Sequence, residues 1–167
     1  MKLLLLRHAI AEEQEEFART GKDDRWRPLT EEGRRKMKQG AKGLREIVPD
    51  IDLLAASPLT RAAQTAAIVD SVYGGLSEVE IEELSPEASP ADFLRWLRKQ
   101  KADTIAAVGH EPTISLILSW LLTGSQRRIF SFRKGGACLI EFPGDVGAGT
   151  ATLLWALTPA QLRELAR

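Results

Sequence analysis

Leu3-Leu4-Leu5-Leu6-Arg7-His8 carries four consecutive leucines directly into an arginine and a histidine. An unbroken apolar run of this length reads as a strand buried on both faces, which needs no polar alternation. A second such run, Thr104-Ile105-Ala106-Ala107-Val108, leads into Gly109-His110. The chain has only two histidines. Both stand just past the carboxyl end of an apolar run, where open α/β sheets build their sites.

Working outward, runs of strand length alternate with segments of helical period. Thr30 to Val48 predicts a helix with Thr30 as N-cap and Glu31-Glu32 at the positive end of the dipole. Its apolar positions, Met37, Ala41, Leu44 and Val48, recur at spacings of three and four. Pro49-Asp50 ends it, and Ile51 to Ala56 reads as a strand. Pro58 is expected in the first turn of a helix that runs through an alanine-rich stretch to Val69. A short strand is expected at Val79 to Ile81 and a helix at Pro90 to Arg98 with Phe93, Leu94 and Leu97 on one face. Pro112 is expected as the first residue of another helix. Gly136 to Phe142 and Thr150 to Leu157 read as two strands joined by a turn-rich loop, and Pro159 to Ala166 as a closing helix. This alternation predicts one α/β layer fold with a mostly parallel sheet, the last two strands being an antiparallel addition.

The 167 residues suit a single domain able to bury a real core. Lys plus Arg and Asp plus Glu stand at 23 each, so no bulk affinity for nucleic acid or an anionic membrane is expected. The locally acidic Glu12 to Glu16 and the basic stretches Arg34 to Lys42 and Arg127 to Lys134 are expected to be solvated faces. Cys138 is the single cysteine, which excludes an internal disulfide and a multi-cysteine zinc site; it is expected to be a buried small hydrophobe. No stretch reaches the roughly 18–20 apolar residues of a membrane span, and the apolar start is too short for a signal-peptide core. The expected compartment is the cytoplasm. Trp26 and Trp96 are expected in the core rather than on a partner surface.

Three strand-to-helix junctions carry polar groups of one kind: Arg7-His8, Ser57-Pro58-Leu59-Thr60-Arg61 and Gly109-His110-Glu111-Pro112. If these strands are neighbours, two arginines and two imidazoles converge, a set that suits phosphate. Guanidinium forks pair with phosphate oxygens and keep their charge at working pH. Helix N-termini near Pro58 and Pro112 would add oriented N–H groups. A neutral imidazole, kept neutral by neighbouring cations, is a competent nucleophile towards phosphorus. The second imidazole can donate hydrogen bonds to the oxygens of the transition state. No metal or other cofactor is called for, because the arginines supply the positive charge, and the sequence shows no Asp/Glu/His cluster with ligand spacing.

These residues resemble the histidine phosphatase superfamily, with its phosphoglycerate-mutase-like fold. The resemblance is carried by Leu6-Arg7-His8, by Ser57-Pro58-Leu59-Thr60-Arg61-Ala62-Ala63-Gln64-Thr65-Ala66, and by Val108-Gly109-His110-Glu111-Pro112. Arg27-Pro28-Leu29-Thr30-Glu31-Glu32-Gly33 and Glu83-Leu84-Ser85-Pro86 look like its small SixA-type phosphohistidine phosphatase branch. The resemblance implies a three-layer α/β/α fold over residues 1–167 with no capping domain. It implies a metal-independent phosphatase in which His8 is the phosphorylated nucleophile. Arg7, Arg61 and His110 then form the phosphate pocket, with Arg27 a further phosphate contact, and inorganic phosphate is the product. The implied partner is a phosphohistidine-bearing protein such as a phosphotransfer domain. Glu83 and Glu87, after the short strand, are the candidates for a general acid.

Two alternatives remain open at this level. One is a small-molecule phosphomonoesterase on the same fold; a mutase would ask for more basic residues and a closing segment. The other is a phosphate- or phosphopeptide-binding module without turnover, against which the presence of His8 argues. The family's usual Arg-His-Gly is Arg7-His8-Ala9 here, so the turn after His8 must be one that an L-residue tolerates.

Overall fold

In a computed structural model describing residues 1–167, the apolar runs pair into one six-stranded sheet. Its strands are β1 (Lys2–Arg7), β2 (Leu53–Ala56), β3 (Glu78–Glu80), β4 (Thr104–Gly109), β5 (Ala137–Glu141) and β6 (Thr152–Leu157). The order across the sheet is β3-β2-β4-β1-β5-β6. The pairs β1–β4, β2–β4 and β2–β3 are parallel, whereas β5 runs antiparallel to both β1 and β6. The sheet is thus mostly parallel with an antiparallel edge, as expected.

The helices are α1 (Gln14–Ala18), α2 (Glu31–Ile47), α3 (Thr60–Tyr73), α4 (Pro90–Arg98), α5 (Thr113–Thr123) and α6 (Pro159–Leu165). Alternate side chains of a strand face opposite sides of a sheet, and β1 sorts its leucines accordingly. Leu4 and Leu6 join a core with Met37, Ala41 and Leu44 of α2, Ala62 and Ala66 of α3, and Leu162 of α6. Leu3 and Leu5 join a second core with Phe93 and Leu97 of α4 and Ile114, Ile117 and Leu121 of α5. Helices therefore cover both faces, a three-layer α/β/α arrangement. Full burial of a leucine contributes about 1.5–3 kcal/mol, which is why so short a polar-free run commits itself to the centre of the sheet. Packing of α6 on α2 is close enough that a Cβ at Gly43 would collide with the carbonyl oxygen of Leu162.

Helix starts agree with the sequence where a side chain supplies the cap. Thr30 Oγ1 accepts the Gly33 N–H at the start of α2, and Ser89 Oγ accepts the Asp92 N–H at the start of α4. Thr158 and Gln161 close a reciprocal capping box on α6. The two expectations based on proline need correction. Pro58 lies before α3 rather than in its first turn, because Ser57 Oγ accepts the Leu59 N–H and Leu59 becomes the cap. Pro112 likewise caps α5, whose first residue is Thr113. The edge strand β3 starts at Glu78, one residue earlier than expected, with Ile81 buried just beyond it.

Cys138 is buried in β5, and burial pushes its thiol well above the usual range. Trp26 is a further correction: it is 58% exposed, its ring lying beneath the Arg25 guanidinium. Trp96 packs half-buried against Phe93. No helix is long and apolar enough to cross a membrane.

Candidate active site

Strand register assembles the site. Arg7 pairs with Gly109 across β1–β4, and Ala56 pairs with Val108 across β2–β4. The ladders run one step further, with His8 N–H donating to Gly109 O (3.0 Å) and Ser57 N–H to Val108 O (3.0 Å). His8, Ser57 and His110 therefore leave three neighbouring strands at the same end of the sheet. From the other side of β1, Gly135 N–H donates to the carbonyls of Arg7 and His8, each at 3.1 Å. Gly135 has φ +83°, a left-handed conformation that a side chain would strain. The resulting cleft, about 450 Å³, is almost wholly polar and includes Arg7, His8, Arg27, Arg61 and His110.

Hydrogen bonding determines which imidazole nitrogen is free. His8 Nδ1 lies 2.7 Å from Ala9 O, and a carbonyl oxygen can only accept. Nδ1 therefore carries the proton, and Nε2 keeps a lone pair able to attack an electrophile. His110 Nε2 lies 2.8 Å from Ser57 Oγ, which already accepts the Leu59 N–H. Ser57 is fully buried, and its hydroxyl proton finds its acceptor in His110 Nε2. That leaves His110 Nδ1 as a buried donor without a partner in the chain, as are Arg7 Nε and Arg61 Nε. An unpaired buried donor costs about 1–3 kcal/mol, a cost that an oxyanion held in the cleft would offset. The ring centroids of His8 and His110 are 5.1 Å apart.

The arginines are held from outside the sheet. Residues 12–28 form a lobe pinched off by the antiparallel Ala11–Leu29 bridge and anchored by buried Phe17. A 3₁₀ turn, Asp24–Trp26, brings Asp24 between two guanidinium groups. Asp24 Oδ1 accepts from Arg27 Nε at 2.8 Å, and Oδ2 lies 3.3 Å from Arg61 Nη1. The Asp24 carbonyl also accepts from Arg61 Nη1, at 3.1 Å. Arg7 is aimed by a bond from Nη1 to Phe132 O, 2.7 Å. The hydrogen bond from Arg27, with the nearby Arg61 charge, holds the Asp24 carboxyl below its ordinary range. Asp24 is thus a fixed anion that orients two cations. Sequence reading missed it, because the short lobe has no apolar periodicity; Asp23, which caps the turn through the Arg25 N–H, was the only local signal.

Burial, supplemented by the charges of Arg61, Arg7 and Arg27, lowers the pKa of His8 from 6.5 to about 3. Burial and the His8 and arginine charges lower that of His110 to about 2. Both imidazoles are therefore neutral at pH 7 in the folded chain. Below about pH 6.5 the unfolded chain takes up protons that the folded chain refuses, so the pair's contribution to stability is complete above that pH. It is lost as the pH falls towards 3. Urea-unfolding midpoints are expected to fall between pH 7 and pH 4, and to fall less in a His8→Gln/His110→Gln double variant. Equal slopes in the two proteins would refute the lowered pKa values.

Arg7, His8, Arg27, Arg61 and His110, all predicted from the sequence, line one cleft. Glu83 and Glu87 do not line it. The strand they follow, β3, is the sheet edge beyond β2, and Glu83 instead lines a separate depression with Asp92, Arg95 and Lys99. Glu87 is exposed. The carboxylates at the cleft are Glu12, Glu13, Asp24 and Glu111. Glu12 and Glu13 are solvated, as the acidic run suggested, yet they also rim the site. Glu111 accepts a hydrogen bond from Ser115 Oγ. Ala9 needs no glycine-like freedom: no residue other than glycine has a positive φ, and Ala9 N–H donates to Thr65 Oγ1 at 3.0 Å.

Residues 3–89 match the family model of the histidine phosphatase superfamily, branch 1. An uncharacterized protein of Picosynechococcus sp. strain PCC 7002 is 30% identical over 139 residues, covering 81% of this chain and 82% of that one. The structure of the protein histidine phosphatase SixA complexed with tungstate superposes with a TM-score of 0.83 at 21% identity, covering 97% of this chain and 99% of that one. The α-ribazole phosphatase from Shigella flexneri superposes with a TM-score of 0.74 at 20% identity, covering 95% and 97%. At these identities the two structures speak for the fold.

Proposed function

The chain belongs to the histidine phosphatase superfamily, and from that premise we propose that this phosphatase hydrolyses protein-bound phosphohistidine through a covalent phospho-His8 intermediate. The observation that carries the chemistry is the His8 Nδ1 contact with Ala9 O, which leaves Nε2 unprotonated among three arginines. In the first step His8 Nε2 forms a bond to phosphorus while the phosphorus–nitrogen bond of the substrate breaks. The departing imidazole takes up a proton from solvent water. Water then attacks phosphorus, the bond to His8 breaks, and inorganic phosphate and free His8 result. Arg7, Arg61 and Arg27 neutralise the phosphoryl oxygens, and His110 Nδ1–H donates to them as charge redistributes.

The substrate class rests on the leaving group. An imidazole is protonated readily before its bond to phosphorus breaks, so it needs little help from an enzyme acid. Of the carboxylates at the cleft, Asp24 is tied to two arginines and held ionised, Glu111 is engaged by Ser115 Oγ, and Glu12 and Glu13 stand exposed on the rim. The fold similarity to SixA supports the same class. In this reading residues 1–167 act as a single domain without a cap, in the cytoplasm, on a phosphotransfer domain or a similar carrier. A cleft of about 450 Å³ also lies within the range of small-ligand sites, which keeps a small-molecule phosphomonoesterase as the second reading.

The deciding experiment offers a phosphohistidine-bearing carrier protein beside a panel of sugar phosphates, phosphoamino acids and nucleotides. The carrier is expected to be dephosphorylated with a kcat/KM about a hundredfold above any small ester, a margin that placement by remote contacts can supply. Turnover is expected to persist in excess EDTA. A small ester that outpaces the carrier would replace the first reading with the second.

A further inference from the structure

Beside the catalytic cleft lies a second cavity, of about 380 Å³, between α2, the residues leading into β5, and the start of α6. Its charged lining consists of four cations, Lys36, Arg133, Lys134 and Arg163, and no carboxylate. Lys36 is paired with Glu32 at 2.7 Å, whereas the other three have no ion-pair partner in the chain. Met37, Pro159 and Ala160 supply its apolar wall. Lys134 lines both this cavity and the catalytic cleft, and Ala9, next to His8 in the chain, lines the cavity.

Like charges gathered here repel one another, and Glu32, paired with Lys36 and near Arg163, offsets them only in part. The catalytic cleft is differently charged, with Glu12, Glu13, Asp24 and Glu111 on its walls beside Arg7, Arg27, Arg61 and Lys134. An acidic chain leaving the cleft therefore meets walls of balanced charge there and is drawn past Lys134 into the uniformly cationic cavity. A cationic rim beside an apolar wall fits acidic side chains whose aliphatic stems need cover.

We propose that this cavity is a docking site for an acidic segment of the phosphoprotein substrate, adjoining the phosphohistidine held in the catalytic cleft. The proposal rests on the phosphohistidine reading above as far as the identity of the partner goes. It assigns to Arg133 and Arg163 a role in substrate affinity and none in the chemistry.

The test measures two things in the wild type and in an Arg133→Ala/Arg163→Ala variant. One is anisotropy of a fluorescent hexaglutamate peptide; the other is turnover of an aryl phosphate and of a phosphohistidine-bearing carrier with an acidic surface. The peptide is expected to bind the wild type in a salt-sensitive manner and to lose about tenfold or more in affinity in the variant, while hexalysine does not bind. KM for the carrier is expected to rise by a similar factor, with kcat and aryl phosphate turnover unchanged. Absence of peptide binding to the wild type, unchanged binding in the variant, or an equal loss on aryl phosphate would each overturn the proposal. Citrate that competes as well as the peptide would also overturn it, by showing a small-polyanion site. Intact, arginine-dependent peptide binding with no turnover of the carrier would uphold the docking site and refute the phosphohistidine reading instead.

Discussion

Replacing His8 by alanine is expected to lower turnover by at least about a thousandfold on every substrate, aryl phosphates included, since loss of a covalent nucleophile is among the costliest changes to an active site. A rapidly quenched reaction of the wild type should yield protein-bound phosphate that is stable to alkali and labile to acid. The variant should yield none. The geometry makes the expectation specific to one atom: Nδ1 is occupied by Ala9 O, so the phosphate should be found on Nε2. Because His8 is buried at the end of a central strand, the variant's fold should be checked by its unfolding midpoint at pH 7. Phosphate that still labels the folded His8→Ala protein would sink the assignment of the nucleophile.

Arg61→Ala is expected to cost about 10²–10³ in kcat, the range seen when one fixed donor to a developing oxyanion is removed, or roughly 2.7–4 kcal/mol. Arg61 is 5% exposed and held twice by Asp24, through the backbone carbonyl and the carboxylate. Its position is therefore set before substrate arrives, and little reorganisation accompanies phosphoryl transfer. Arg61→Lys should recover only a small part of the loss, because an ammonium concentrates its donors on one nitrogen and lacks the planar fork that holds Asp24 on one side while facing phosphate with another. Single-turnover rates of the three proteins decide the matter. A rate for Arg61→Ala within threefold of wild type would remove this residue from the phosphate pocket.

Much of the site was legible because its residues sit at chemically marked junctions. An apolar strand that ends in a histidine is conspicuous in a chain with only two histidines, and Arg61 stands one turn into a helix that follows a strand. The lobe of residues 12–28 was not legible, for Phe17 alone anchors it in the core and its short turns leave no periodic trace. Asp24 could not be identified as the partner of Arg61 while the lobe's path was unknown. Trp26 was misjudged for the same reason: an indole in a turn of three residues has no core to reach. Glu83 and Glu87 were placed near the site from their order along the chain. Chain order does not say that β3 lies at the sheet edge, with two strands between it and β1, nor that Pro86 and not the glutamates of this loop reaches the cleft.

By itself, the sequence determined the layer type, the alternation of strands and helices, and the residues that end the three central strands. Apolar periodicity and helix caps are local properties, and they act within a few residues of where they are read. Only the tertiary structure decided that β4 inserts between β2 and β1, which puts His110 beside both His8 and Ser57. Strands buried on both faces are interchangeable as apolar runs, so their order is settled by the packing of all the helices together. The same packing chose Asp24 to hold the arginines and gathered Lys36, Arg133, Lys134 and Arg163, from three separate stretches of the chain, around one cavity.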